Sequence, residues 1–337
     1  MKRVITTIIC VLFSICLHAE AKTQGSISGG VLHEMPSWFT DSFMDINEDA
    51  AEAKENNKTI MLFFHLADCP YCDAMLNENF RGSDTTTFIQ QNFSVIAVNI
   101  KGDREITINE TEGITEKALS QQLKVLYTPT IVFLNQDGKT IYRTNGYRSP
   151  AAFRQVLNYI NDRAYNTMQL SSYIEKHSSE KNYTYTFLPH KSLQKTNYFK
   201  AYKKPVALLF EDKDCTDCEF LHKQVLNKKQ VISELDKFLF VRLDAYSNNK
   251  IIDFNGKETT PRKWANELGL NYRPGIVLFN DMQEIMRIDG KLFSFHFKEV
   301  FRYVSGEFYK QYPAYYDYLS DRQTELINKG IDINISE

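Results

Sequence analysis

The chain repeats one unit, and this repeat restricts the possible folds more than any other feature. Two tight cysteine pairs, in "DCPYC" and "DCTDC", each follow a continuous apolar run of strand length. A proline that opens a further apolar run comes at nearly the same distance after each pair. Pro129 lies 60 residues after Cys69, and Pro274 lies 59 residues after Cys215. Because a fixed internal period marks a repeated structural unit, we expect two similar domains in tandem.

The order of patterns within each copy predicts the fold class. The runs "TIMLFFHL" and "KPVALLFE" are typical of strands that are buried on both faces of a sheet. A helical pattern begins at each cysteine pair, and a strand, a helix, the proline strand, a hairpin and a last helix follow. We therefore predict an α/β fold with two tandem domains, each a central mixed β-sheet flanked by helices, and a short C-terminal helical extension.

The N-terminus has the pattern of a secretory signal. A basic start, "MKR", precedes an apolar run of 14 residues and then small residues, with cleavage expected after Ala19 or Ala21. The run is too short to span a bilayer comfortably, although a retained anchor stays open. We predict a signal peptide at 1–21, a linker at 22–36, and domains at 37–185 and 186–337.

Composition and cysteine usage limit the function classes. A net charge of −2 gives no indication of nucleic-acid binding. Loss of the signal leaves four cysteines in an exported, oxidising compartment. A disulfide within either pair would close a very short loop and remove little chain entropy, so stabilisation of the fold is a poor reason for the pairs. A local zinc site would place its second pair about 15–20 residues away, which does not fit. A single pair could bind copper(I), so this alternative stays open, but we predict no metal and no cofactor.

Several longer motifs carry a resemblance to a known family. The segments "YTPTIVFLNQDGK", "NGYRSPAAF" and "RPGIVLFN" surround the two prolines and the following hairpins. With the cysteine pairs, they make the chain similar to the exported thioredoxin-fold proteins that accompany bacterial sulfur oxidation. The chain also resembles the C-terminal domain of the transmembrane thiol reductant transporters. The resemblance implies two thioredoxin-like domains that exchange disulfides with protein thiols. Phe63 and Leu209 depart from it, because ordinary thioredoxins carry a buried acid at this position.

The expected site residues fall into two groups. A cysteine at a helix start is favoured as a thiolate by unpaired N–H groups and the helix dipole, so Cys69 should attack and Cys72 should resolve. The catalytic candidates are Cys69, Cys72, Cys215 and Cys218. The resemblance also implies that both prolines are cis and border the cysteines. The substrate-binding candidates are Pro70, Tyr71, Thr128, Pro129, Arg273 and Pro274.

These observations lead to a functional hypothesis with alternatives. We expect a periplasmic or otherwise secreted reductase that a membrane thiol reductant transporter supplies. A disulfide isomerase or oxidase, or a non-enzymatic module that binds copper or a partner, remains open. The second pair is surrounded by acidic residues, and negative charge disfavours a thiolate. We therefore expect the Cys215–Cys218 disulfide to be the harder one to reduce, as a relay or a structural copy.

Overall fold

The computed structural model describes residues 24–109, 112–177, 184–200, 202, 204–215 and 217–337, and the predicted signal peptide lies outside these residues. The first half contains, in chain order, β1 (Ile27–Ser28), α1 (Ile46–Glu55), β2 (Thr59–His65), α2 (Pro70–Asn79), α3 (Asp84–Asn92), β3 (Phe93–Asn99), β4 (Glu105–Asn109), β5 (Glu112–Thr115), α4 (Glu116–Gln122), β6 (Thr130–Leu134), β7 (Thr140–Asn145), α5 (Pro150–Asn161) and α6 (Leu170–His177).

The second half repeats this order from β2 onward and adds a short terminal strand. Its elements are β8 (Val206–Glu211), α7 (Cys218–Phe220), which continues as a π-helix (Leu221–Leu226), α8 (Lys229–Leu235), β9 (Leu239–Asp244), β10 (Ile251–Ile252), β11 (Glu258–Thr259), α9 (Pro261–Glu267), β12 (Gly275–Asn280), β13 (Gln283–Ile288), α10 (Ser294–Ser305), α11 (Tyr315–Asn328) and β14 (Ile333–Asn334). Within the described part of the chain, no helix has both the length and the apolar character needed to cross a membrane.

Each half forms one mixed four-stranded sheet. The strand order is β3-β2-β6-β7 in the first sheet and β9-β8-β12-β13 in the second. In both sheets the first pair is parallel and the other two are antiparallel. The predicted fold class, two tandem domains with helix-flanked mixed sheets, is confirmed.

The strand before each cysteine pair is apolar throughout because both of its faces are covered. In β2, Met61 and Phe63 pack with the helices α2 and α5, while Leu62 and Phe64 pack in a second cluster that includes residues of α1. β8 divides its side chains between two clusters in the same way. Burial on both faces holds each strand in place, and the cysteine pair comes a few residues after the end of that strand.

The two domains pack closely through matching parts of the repeat. Gly146 and Gly290, which follow the hairpins of the two copies, approach so closely that a Cβ on Gly290 would lie 2.8 Å from the Gly146 Cα atom. Arg148 is buried, donates to the Asp289 carbonyl at 2.7 Å and lies over the ring of Tyr272. The corresponding faces of the two thioredoxin-like units are therefore turned toward each other.

The segment expected to be a linker, 22–36, is ordered against the other end of the chain where it is described. Strand β1 pairs in parallel with β14, and the Gly25 amide donates to the Ile327 carbonyl at 2.9 Å. Further along, the Val31 amide donates to the carbonyl of Asp68, next to the first cysteine pair. Backbone pairing therefore holds the described part of this segment against the rest of the chain, and its role as a linker stays a prediction.

Candidate active site

Cys69 lies at the N-terminus of α2, as predicted. Its side chain is the N-cap and accepts a hydrogen bond from the Cys72 amide at 3.1 Å. Pro70 occupies the first turn, where its missing N–H leaves no helical bond unmade. The hydroxyl of Thr128 donates to the Cys69 Sγ atom at 3.3 Å. Several donors therefore converge on one sulfur atom.

The two thiols of the first pair differ in accessibility and acidity. Cys69 is 6% exposed, whereas Cys72 is fully buried. Burial raises the pKa of Cys69, but hydrogen bonds from the Cys72 thiol, Thr128 and nearby amides outweigh it and lower the pKa below the ordinary value. Burial and the neighbouring Cys69 sulfur raise the pKa of Cys72 well above that value. This asymmetry allows one thiolate next to one thiol.

We expect the Thr128→Val substitution to make the Cys69 thiol less acidic, because it removes a donor to the sulfur. Iodoacetamide reacts with the thiolate, so the pH at half-maximal alkylation of Cys69 should rise by about one pH unit. Cys72 should react much more slowly than Cys69 in both proteins. The exposed Thr140, changed to Val, is the control and should leave the pH profile in place. An unshifted profile for Thr128→Val would refute the role of this hydroxyl.

The two prolines border the cysteine pairs in the predicted form. The Thr128–Pro129 and Arg273–Pro274 peptide bonds are both cis, which confirms what the resemblance implied. The Cys69 thiol donates a hydrogen bond to the carbonyl of Thr128 at 3.5 Å. The substrate-binding roles of Thr128, Pro129 and Pro274 stay predictions.

Tyr71 lies in the contact between the domains, and its role in substrate binding stays a prediction. Its hydroxyl accepts a hydrogen bond from the Phe293 amide at 2.8 Å and bonds to Nδ1 of His296 at 3.2 Å. Its ring stacks on the ring of Phe293. Burial lowers the pKa of His296 to about 4, so this imidazole is neutral near neutral pH. Residues of the second domain therefore fix the position of Tyr71, which lies between the two cysteines of the first domain in the sequence.

The second pair is a covered disulfide. Cys215 and Cys218 are bonded to each other and are 2% and 0% exposed. Tyr185 packs against both, with Phe187 and Leu188 beside it. The backbone of Tyr185 is fixed by a hydrogen bond from its amide to the Lys213 carbonyl at 2.6 Å. The segment that connects the two domains thus covers the sulfur atoms that a partner would have to reach.

We expect Tyr185→Ala to uncover this disulfide. Reduction of Cys215–Cys218 by dithiothreitol in the folded protein should then accelerate about tenfold, since attack no longer waits for local opening. Mass spectrometry of the alkylated pair measures the rate. Tyr198→Ala is the control, because Tyr198 is half-exposed and lies outside the cluster around the disulfide. Equal rates in the wild type and Tyr185→Ala would contradict the covering role.

Arg273 and several of the acids around the second pair have partners within the structure. Arg273 forms a mostly buried ion pair with Asp212 at 3.2 Å and donates to two backbone carbonyls. Asp217 accepts a hydrogen bond from the Tyr272 hydroxyl at 2.6 Å, and Glu219 pairs with a lysine on the same helix. The substrate-binding role of Arg273 stays a prediction. The order of the two reduction potentials stays a prediction.

Sequence reasoning missed a buried glutamate–histidine pair in the second domain. Glu211 is fully buried and lies 2.8 Å from Nε2 of His222, with Arg242 3.5 Å away on its other oxygen. Glu211 ends strand β8 four residues before Cys215, and His222 follows Cys218 by four. An acid that closes an apolar strand, followed by a histidine in an apolar helix, was the available signal. The corresponding residues of the first domain are His65 and Leu76, so that domain lacks this pair.

A cleft of about 130 Å³ opens beside Cys69. Three parts of the chain line it: the first domain, the start of α10 and the terminal helix α11. Its lining residues include Asp68, Cys69, Lys101, Thr128, Tyr316 and Leu319. No local pattern in the sequence brings α11 to this place, because it lies more than two hundred residues away along the chain.

The fold and the cysteine geometry define a thioredoxin-fold protein with two units. The model of the thioredoxin-like domain family matches residues 46–161 and 194–305, which together cover more than half of the chain. The protein belongs to this family.

Several solved structures each match about one domain of this chain. The chain is similar to a thioredoxin-fold protein from Helicobacter pylori, with 27% identity over 36% of this chain and 84% of that one and a TM-score of 0.33. It is also similar to a thioredoxin from Thermus thermophilus (25% identity, 34% and 81% covered, TM-score 0.27). A third match is the reduced C-terminal domain of Neisseria meningitidis DsbD (20% identity, 30% and 80% covered, TM-score 0.24). No curated protein matches the sequence.

Proposed function

We propose that this protein is an exported thiol–disulfide oxidoreductase whose working centre is the Cys69–Cys72 pair. The observation that carries the proposal is the acidic, slightly exposed Cys69 thiol at a helix N-terminus, directly above a buried Cys72 with a raised pKa. This is the arrangement that disulfide exchange needs, since a thiolate attacks and a second thiol resolves.

The chemistry proceeds in two balanced steps. The Cys69 thiolate attacks one sulfur of a disulfide, the S–S bond breaks, and the leaving thiolate takes up a proton. Cys72 then loses its proton and attacks the Cys69 sulfur, so that the second thiol leaves and Cys69–Cys72 becomes a disulfide. The substrate has gained two electrons and two protons. A dithiol donor must then return the pair to its reduced form.

In this proposal the protein works as a reductase outside the cytoplasm, and a membrane thiol reductant transporter is the donor. The predicted signal at 1–21 supports export, and the resemblance to transporter C-terminal domains supports the donor. A reductase differs from an oxidase in the state of its cysteines at rest. The redox state in the cell therefore distinguishes the two.

Trapping of the resting state and of the partners tests the proposal. Cells that express the protein are quenched with acid and alkylated, and we expect Cys69 and Cys72 to be recovered mainly as thiols. The Cys72→Ser variant should accumulate mixed disulfides through Cys69, which mass spectrometry identifies. Recovery of the wild-type pair as a disulfide would favour an oxidase. If no mixed disulfide forms and the reduced protein binds copper(I) tightly, metal binding would be favoured over disulfide exchange as the function.

A further inference from the structure

The cleft beside Cys69 is small because the protein's own terminal helix forms part of its wall. Tyr316 and Leu319 of α11 line the same cleft as Cys69 and Thr128. Space of about 130 Å³ accommodates about ten water molecules, at roughly 10–15 Å³ for each. This is room for a small molecule or one side chain, whereas an extended strand that pairs with the backbone at Thr128 needs an open groove.

Helix α11 is held firmly in this position. Tyr315 and Tyr318 are each 3% exposed in the main cluster of the second domain, and Leu326 is buried with them. The Tyr318 hydroxyl donates to the buried Glu299 at 2.7 Å. A helix with this many buried contacts is a fixed wall of the cleft rather than a loose cover.

Tyr316 brings a polar group to the reactive sulfur atoms. Its hydroxyl oxygen is buried, with the side chain of Thr128 as its hydrogen-bonding neighbour. Burial, and then electrostatic repulsion by the Cys69 and Cys72 sulfur atoms, raise the pKa of the Tyr316 phenol, so it stays protonated and can donate. A buried phenol next to a nucleophile is suited to donate to a polar group of a bound ligand.

Two opposite charges also line the cleft. Asp68 precedes Cys69, and Lys101 follows strand β3; both side chains are exposed. A carboxylate and an ammonium on one cleft complement a ligand that carries an ammonium and a carboxylate. An amino-acid thiol or its disulfide has both groups close to the sulfur.

We propose that the Cys69 site acts on low-molecular-weight disulfides with amino-acid head groups, of the class of cystine, and that α11 excludes extended polypeptides. The inference rests on the proposed disulfide exchange and narrows its substrate class. Cys69 attacks one sulfur of the small disulfide, one amino-acid thiol leaves with a proton, and Cys72 releases the second. The substrate takes two electrons from the dithiol, which an external dithiol reductant restores.

Single-turnover kinetics test this substrate class. The full-length mature protein is reduced, freed of reductant and mixed with cystine, cystamine, dithiodipropionate or insulin, and the oxidation of Cys69–Cys72 is followed by quenched alkylation. We expect the rate constant for cystine to exceed that for insulin at least about tenfold, as steric exclusion from a pocket allows. Cystamine carries only ammonium groups and dithiodipropionate only carboxylates, so both should react more slowly than cystine.

Variants of the cleft separate the contributions of charge and shape. Lys101→Ala should lower the rate for dithiodipropionate relative to cystamine about fivefold, because the lysine attracts a carboxylate. Lys139→Ala, at an exposed site in the hairpin between β6 and β7, is the matched control and should leave this ratio unchanged. Tyr316→Ala should widen the cleft and raise the insulin rate about tenfold relative to cystine. Tyr316→Phe keeps the ring and should leave insulin slow.

The outcomes distinguish this inference from the proposed function. If insulin reacts as fast as cystine in the wild type, or if Tyr316→Ala leaves the insulin-to-cystine ratio where it was, the small-substrate inference is overturned while disulfide exchange stands. If Lys101→Ala leaves the ratio of the dithiodipropionate rate to the cystamine rate unchanged, recognition of the head group by Lys101 is overturned. If none of the four disulfides oxidises Cys69–Cys72, the proposed function itself fails.

Discussion

Cys69→Ser is expected to lower the rate of disulfide reduction by about three orders of magnitude or more, a loss typical of removing a catalytic nucleophile. The hydroxyl of serine stays protonated and does not attack disulfides, although it fits the same N-cap position and can accept the Cys72 amide. The fold should therefore survive the change, which thermal unfolding checks. The rate is measured with the reduced protein and a disulfide substrate, as above.

The second pair provides the comparison for this prediction. Cys215→Ser is measured in the same assay, and its loss should be smaller than that of Cys69→Ser because Tyr185 covers the second disulfide. Cys72→Ser should differ from both, since it retains the nucleophile but stalls as a mixed disulfide. A larger loss from Cys215→Ser than from Cys69→Ser would move the working centre to the second domain.

Gly290→Ala is expected to disrupt the contact between the domains. The new Cβ would lie 2.8 Å from the Gly146 Cα atom and 2.9 Å from the Asn145 carbonyl oxygen. Both are backbone atoms, so the domains must move apart. Overpacking of this kind costs about 1–3 kcal/mol, which corresponds to a fall in the melting temperature of about 5 °C.

Separation of the domains should also be visible at the first site. Phe293, three residues after Gly290, donates to the Tyr71 hydroxyl, so limited proteolysis between the domains and alkylation of Cys69 should both accelerate. Gly30→Ala is the control, because its Cβ would meet its nearest neighbour at 3.4 Å, an ordinary contact. If the Gly290→Ala variant has the same melting temperature as the control, the close approach of the two glycines does not stabilise the contact between the domains.

The local parts of the first site could be predicted from the sequence. An apolar run that ends at a cysteine pair places Cys69 at a helix start, because strand and helix are each defined by the residues within them. The proline about 60 residues later was identified through the resemblance and is cis in both copies.

The relations between distant parts of the chain could not be read in the same way. The hydroxyl of Tyr71, a candidate for substrate binding, is bound by residues of the second domain. The side chain of Arg273 pairs with Asp212, which lies in another part of the chain. Residues near the start of the chain pair with β14 at its end. Side-chain direction and partner choice decide each case, and neither is a property of a local pattern.

The sequence by itself determined the repeat, the two helix-flanked sheets and the placement of a reactive thiol at the start of a helix. These follow from short-range periodicity and from the chemistry of single residues. Only the tertiary structure decided that the first pair opens on a narrow cleft, while the second is covered by Tyr185. The walls of that cleft come from the terminal helix and the opposite domain, and they meet at Cys69 because burial of apolar surface drives the two copies together.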